Sequence, residues 1–194
     1  MTQSNSLDKV EVRKTYYLTG ALYSEIPYVN GVKHGIVKDY YKSGALRDEI
    51  PYVNGGIHGI VKDYYESGAL YAETPYKNGI KHGIEKEYYE SSVLRWEAPY
   101  VNGYVHGIVK KYDESGDLSW ETPYMNGSIH GIVKEYYGSG ALYAETPYVN
   151  GNLHGIAKHY DSDNLNIDVL TLYKGDNDVL TLCCESYGAV STKS

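Results

Sequence analysis

The chain of 194 residues contains no phenylalanine, and only two tryptophans and two cysteines. A conventional two-layer core normally uses some Phe, so its absence, set against 24 tyrosines, points to a sheet that stays near water on both faces, where a ring with a polar tip is at home. Cys183 and Cys184 are neighbours, a spacing that strains a disulfide. There is no C-x-x-C pair for zinc, so two reduced thiols and a cytoplasmic location are expected. No apolar run reaches the roughly 18 residues of a membrane span, and MTQSNSLDKVEVRK lacks the apolar stretch of a secretory leader. Basic residues are too few and too scattered for a phosphate-binding surface. Lys and Arg number 18 against 25 Asp and Glu, and the net charge of −7 disfavours nucleic acid as the main partner. The same sign suits a basic protein.

Proline is equally sparse, and its placement is informative. All six prolines, Pro27, Pro51, Pro75, Pro99, Pro123 and Pro147, recur at a spacing of 24. Glu25 to Glu145, His34 to His154 and Lys38 to Lys158 form parallel columns. Such self-similarity defines an array in which each unit packs on its neighbours. Residues 1–10 read as a tail, 11–161 as a half repeat plus six copies, and 162–194 as a closing hairpin, marked by DVLTL written twice, and a tail. Within each copy two short Tyr- and β-branched-rich runs lie between Gly and Asn, with no room for a helix.

Charge sets the register. A two-residue turn at Ser43-Gly44 pairs Lys42 with Ala45, Tyr41 with Leu46 and Lys38 with Glu49. A four-residue loop from Asn30 to Lys33 pairs Val29 with His34, Tyr28 with Gly35 and Glu25 with Lys38. The neighbouring register sets Glu25 against Asp39, which like-charge repulsion disfavours. This places the ring of Tyr28 over Gly35, and each first strand is expected to bend or end at its proline. One face then carries the Glu/Lys row together with Tyr23, Tyr40, Arg47, Tyr64, Tyr71 and Arg95. The other carries Leu22, Tyr41, Leu46 and Tyr65, the apolar Ile26, Val37, Ile50 and Val61, and a variable row: Ser24, Asp39, Asp48, Asp63, Ala72, Glu87, Trp96, Lys111, Trp120, Glu135. The expected architecture is an all-β, elongated, single-layer antiparallel sheet of roughly fifteen strands.

The pattern Tyr-x-Asn-Gly-x-x-His-Gly-Ile, then Lys-x-Tyr-Tyr and Ser-Gly-x-Leu, resembles the MORN repeat (membrane occupation and recognition nexus), and looks closest to its bacterial variant, over roughly Val12 to Asp161. The resemblance implies an elongated sheet of hairpins and a non-catalytic module that contacts proteins. Chains built of this variant are often classed with antitoxins, so an antitoxin- or immunity-like inhibitor of a partner protein is the implied function. The alternatives are a membrane-surface or lipid-associated module, against which the negative charge argues, and a carbohydrate-binding rod.

Catalytic chemistry finds no footing in the residues. Equivalent histidines lie two strands apart, about 9.5 Å, too far to share one zinc. Six identical Glu/Lys pairs describe a structural ladder rather than an active site. Neither a phosphate-binding glycine loop nor an H-E-x-x-H motif occurs. No cofactor and no metal are expected. The candidate partner-binding residues are Trp96 and Trp120, one repeat apart in the variable row, with Lys111 between them, joined by Arg47 and Arg95, because Trp and Arg concentrate binding energy. Pairing through a free sheet edge, as in a homodimer, is a further possibility of the architecture.

Overall fold

The computed structural model describes residues 8–162, 166–175, 177–184 and 190–192. It divides into two units, residues 1–92 and 93–194, each an antiparallel sheet of successive hairpins, with no helix among the described residues. The first unit holds β1 (Val10–Tyr16), β2 (Leu22–Val29), β3 (Val32–Lys33), β4 (Gly35–Tyr40), β5 (Leu46–Val53), β6 (Gly56–Ile57), β7 (Gly59–Tyr64), β8 (Leu70–Lys77), β9 (Ile80–Lys81) and β10 (Gly83–Tyr88). The second holds β11 (Leu94–Val101), β12 (Tyr104–Val105), β13 (Gly107–Tyr112), β14 (Leu118–Met125), β15 (Ser128–Ile129), β16 (Gly131–Tyr136), β17 (Leu142–Val149), β18 (Asn152–Tyr160), β19 (Ile167–Lys174), β20 (Asn177–Cys184) and β21 (Val190–Thr192). Among the described residues this makes 21 strands, and the excess over roughly fifteen comes from the five two-residue pieces β3, β6, β9, β12 and β15. The chain is all-β, with β19 and β20 forming a hairpin against β18.

The charge-derived pairs are present: Glu25 lies across from Lys38, and Lys38 from Glu49. Both turns differ from expectation. The first hairpin closes through two residues, Asn30 and Gly31, with φ of 51° and 80°, so Val29 meets Val32 and Tyr28 meets Lys33. Positive φ at both positions is the signature of the Asn-Gly hairpin turn, whose twist matches the strands. The two registers are reconciled by an irregularity at His34-Gly35, which separates β3 from β4. Here Pro27 explains itself. Its carbonyl accepts the His34 N–H at 3.1 Å, so its missing N–H faces the same irregular side, where no ladder bond is lost. The proline does not end β2, which runs on to Val29; the break is in the facing strand. The ring over Gly35 is that of Pro27, not Tyr28: a Cβ on Gly35 would meet Pro27 Cγ at 3.1 Å.

The second turn spans Tyr41 to Ala45, with Gly44 N–H donating to the Tyr41 carbonyl at 3.0 Å and φ of 91° at Gly44. Ser92 takes this place in its own repeat at φ 68°. Tyr40, not Tyr41, stands opposite Leu46, and a bulge follows in which Arg47 has no partner before Asp39 meets Asp48. The turn is one residue longer than expected and the bulge absorbs it, which is why the interior register was right. Tyr23, Tyr71, Ser119 and Tyr143 occupy the same bulged place. A bulge re-aims its side chain, and the face assignment changes accordingly. Arg47 joins the variable row, reaching Asp48 at 2.7 Å and Asp39 at 3.2 Å. Leu46, across from Tyr40, moves to the Glu/Lys face.

On that face each repeat builds the same bond: Tyr40 donates to Glu25 at 3.0 Å, Tyr64 to Glu49 at 3.0 Å, Tyr112 to Glu97 at 3.1 Å, Tyr136 to Glu121 at 2.9 Å and Tyr160 to Glu145 at 2.9 Å. The accompanying ion pairs, such as Lys38–Glu49 at 3.6 Å, are about two-fifths exposed on the lysine side and each contributes little. Burial, then the neighbouring glutamate, pushes the phenols of Tyr64, Tyr112 and Tyr136 up to about 12. An unfolded tyrosine titrates near 10. The folded value is the higher one, so this stability is whole below pH about 10 and is lost as the pH rises toward 12. Urea midpoints measured from pH 8 to 12 are therefore expected to be flat and then to fall steeply over that window, ahead of phenolate absorbance in the folded chain. A constant midpoint would contradict it.

The buried residues all belong to the opposite face: Val37, Ala72, Ala98, Ala144 and Ala157, with Ser24, Thr74, Glu85 and Thr171. No large side chain among the described residues is fully buried. A single layer has no thick interior to fill, which accounts for the missing phenylalanine.

Candidate functional site

The variable row is a real line of cross-strand neighbours. In the second unit Trp96 on β11 pairs with Lys111 on β13, Lys111 with Trp120 on β14, Trp120 with Glu135 on β16, and Ala144 on β17 with His159 on β18. Cross-strand partners share a face, so both indoles and the ammonium group stand on one surface. Lys111 Nζ lies 4.8 Å from the Trp120 ring centroid, within reach of a cation–π contact. Trp120 is 39% exposed, Trp96 half-buried and Lys111 exposed. Arg95 precedes Trp96 in β11 and has interactions of its own.

Arg47 belongs to the first unit, bound to Asp39 and Asp48 and lying 5.5 Å from the Tyr23 ring. There the row reads Ser24, Asp39, Asp48, Asp63, Ala72, with Asp39 facing Asp48 and Asp48 facing Asp63. Like charges do oppose each other here, and the single guanidinium of Arg47 offsets part of the repulsion. Burial, then the hydrogen bond and charge of Asp48, pushes the Asp63 carboxyl up to about 6. Glu85, buried where other repeats carry Val37 or Val61, is held by Lys81 Nζ at 2.8 Å and by the Thr74 hydroxyl at 2.9 Å. The first unit thus presents an acidic stretch and the second an aromatic one.

Two recurrent contacts carry no obvious mark in the sequence. Tyr41 donates its hydroxyl to the Tyr64 carbonyl at 2.7 Å, as do Tyr17 to Tyr40, Tyr65 to Tyr88 and Tyr137 to Tyr160 at 2.7–2.9 Å. Each crosses one repeat, so only knowledge of the stacking could have found it. The histidines act the same way. His106 Nδ1 accepts the Asn126 N–H at 3.4 Å and lies 3.2 Å from its Oδ1; His58 and His130 lie 3.2 and 3.3 Å from Asn78 and Asn150. The column ties a strand end to the turn of the following repeat. Among the described residues no three His, Cys, Asp or Glu side chains gather as a metal would require.

An array of near-identical hairpins, with a recurrent tyrosine and a recurrent histidine bonding one hairpin to the next within each unit and a separate row free to vary, is a repeat-built interaction module. The sequence model of the MORN repeat variant matches residues 12–30, 33–54, 57–78, 81–102, 105–126 and 129–150. These segments make up well over half of the chain, which belongs to this family. A search of curated proteins finds no match.

Proposed function

We propose that this chain is a non-catalytic scaffold that holds a protein partner on the face of the variable row, with Trp96, Lys111 and Trp120 as the anchor. The observation that carries this reading is the line Trp96–Lys111–Trp120 across the neighbouring strands β11, β13 and β14, with the second indole exposed. Fixed columns are accounted for by contacts within the array, so selectivity for a partner resides where the repeats differ. Two aromatic rings about 9.5 Å apart with a cation between them offer a grip of the kind that dominates interface energies. The net charge of −7 and the Asp39–Asp48–Asp63 stretch favour a basic partner. An antitoxin- or immunity-like inhibitor is the specific form this takes, and a cytoplasmic location goes with it.

Replacing Trp96 and Trp120 together by alanine is expected to weaken binding of the partner captured from the native cell by at least about 2 kcal/mol, with the fold retained. Partner affinity and thermal unfolding of the same two proteins decide the matter. Unchanged affinity per folded molecule, with a lowered melting temperature, makes the indoles structural and overturns the proposal.

A further inference from the structure

Beside Trp120 the array omits something that it builds elsewhere. In three repeats the tyrosine before the second turn meets the bulged tyrosine six residues later, edge to face: Tyr17–Tyr23 at 5.1 Å, Tyr65–Tyr71 at 5.2 Å and Tyr137–Tyr143 at 5.0 Å. The residue that follows each pair is almost sealed, with Ser24 at 3%, Ala72 at 4% and Ala144 at 1% exposure. Where the second ring is an arginine, as at Arg47, the following residue, Asp48, is half-buried. One repeat loses both rings. Asp113 and Ser119 stand in the two places, and Trp120, next in line, is 39% exposed. Asp113 does not take over the tyrosine's work. Its carboxylate accepts the N–H groups of Ser115, Gly116 and Asp117 at 2.9, 3.1 and 3.0 Å, folding back on its own turn. Among the described residues, the carbonyl of Tyr136, the counterpart of the Tyr40, Tyr64, Tyr88 and Tyr160 carbonyls, therefore receives no phenol.

The geometry points to a notch beside Trp120 shaped for one tyrosine side chain of a partner protein. This rests on the reading above that the partner sits on this face, and it names what the partner brings. The other repeats show the occupant: a phenol ring whose hydroxyl donates to the carbonyl one repeat on. In the complex the ring lies against Trp120 and the hydroxyl donates to the Tyr136 carbonyl. Lys111 Nζ lies 4.8 Å from the Trp120 ring on one side and Glu135 is its cross-strand partner on the other, so these two charges offset each other; Asp113, Glu114 and Asp117 in the adjoining turn leave the balance negative, and the tyrosine comes from a segment with basic neighbours, in keeping with charge complementarity.

The probe is p-cresol, titrated at millimolar concentration into the isotopically labelled full chain. The two tryptophans give two indole N–H signals, assigned through Trp120→Phe. The expected result is a saturable shift of the Trp120 signal with little at Trp96. 4-Methylanisole, which keeps the ring but cannot donate, should bind at least about fivefold more weakly. The triple variant Asp113→Tyr, Ser119→Tyr, Trp120→Ala copies Tyr137, Tyr143 and Ala144. It should melt above Trp120→Ala alone and show no saturation transfer to p-cresol. Equal, non-saturating shifts of both indoles, equal affinity for the two probes, or undiminished p-cresol binding by the triple variant would each overturn the notch. The two proposals fail separately. Loss of partner binding in the double tryptophan variant with no p-cresol site keeps the face and removes the notch; the reverse keeps the notch and removes the face.

Discussion

Gly107→Ala is expected to destabilise the chain by about 3 kcal/mol, more than any other single-methyl change in the array. Two terms act together. Gly107 has φ of +120°, a region that side chains avoid, and a Cβ there would sit 2.8 Å from Pro99 Cγ. Backbone strain in such a region is worth about 1–3 kcal/mol. The proline ring, locked in β11 against this spot, cannot give way without shifting the strand. Gly131 and Gly83 share the geometry, with Pro123 and Pro75 at 2.9 Å. Gly56 supplies the contrast. It has no positive φ, and a Cβ there meets only the Val53 carbonyl at 3.8 Å; other repeats place Val32 or Ile80 at the same point. Gly56→Val should therefore be neutral or slightly stabilising. Urea unfolding of both variants is the measurement. Adding Pro99→Ala to Gly107→Ala should recover the steric part and leave the backbone part. A Gly107→Ala protein as stable as the parent would mean that the proline-on-glycine stack is not what fixes this column.

Tyr64→Ala is expected to cost about 2–3 kcal/mol, and Tyr64→Phe about 1 kcal/mol. The ring is half-buried between strands, and its hydroxyl donates to Glu49 at 3.0 Å. Removing the ring leaves Leu70, its cross-strand partner, with less cover. Removing the hydroxyl alone leaves Glu49 with Lys62 opposite it and costs only the bond, discounted for exposure. Because units bind mainly to their neighbours, the loss should show as a lowered midpoint with a shallower slope rather than as a uniform shift. A phenylalanine variant as unstable as the alanine one would place the energy in the hydrogen bond instead of the ring.

How far the sequence could be read depended on whether a feature repeats through composition or through geometry. The Pro, Glu, His and Lys columns exposed the unit, and opposite charges across strands located Lys38 between Glu25 and Glu49. Both hairpin turns escaped because each error is a pair of compensating irregularities. An Asn-Gly turn that is shorter than expected is balanced at His34-Gly35, and a longer Ser-Gly turn is balanced by the bulge at Arg47. Charge fixes the middle of a strand and is silent about its ends. The bulge also decides the surface, since it turns Arg47 toward Asp48, where strict alternation would turn it away. Trp96, Lys111 and Trp120 could be placed together from the period alone, because the row they occupy lies inside the well-determined middle. The empty place at Asp113 and Ser119 could not be read, since only the rings present elsewhere reveal what is missing there.

The junction between repeats has a bearing on how the chain can change length. Lys38 meets Glu49, and Tyr40 meets Leu46. Excising residues 46–69 would bring Lys38 to Glu73 and Tyr40 to Leu70, the same chemistry at the same places. A gene of this kind can gain or lose one unit by recombination between its near-identical segments without a scar at the seam. What would change is the spelling of the variable row, in which Asp39 would then stand beside Ala72, with Asp48 and Asp63 gone. Copy number and binding surface are thus edited by the same event, while the folded junction stays blind to it.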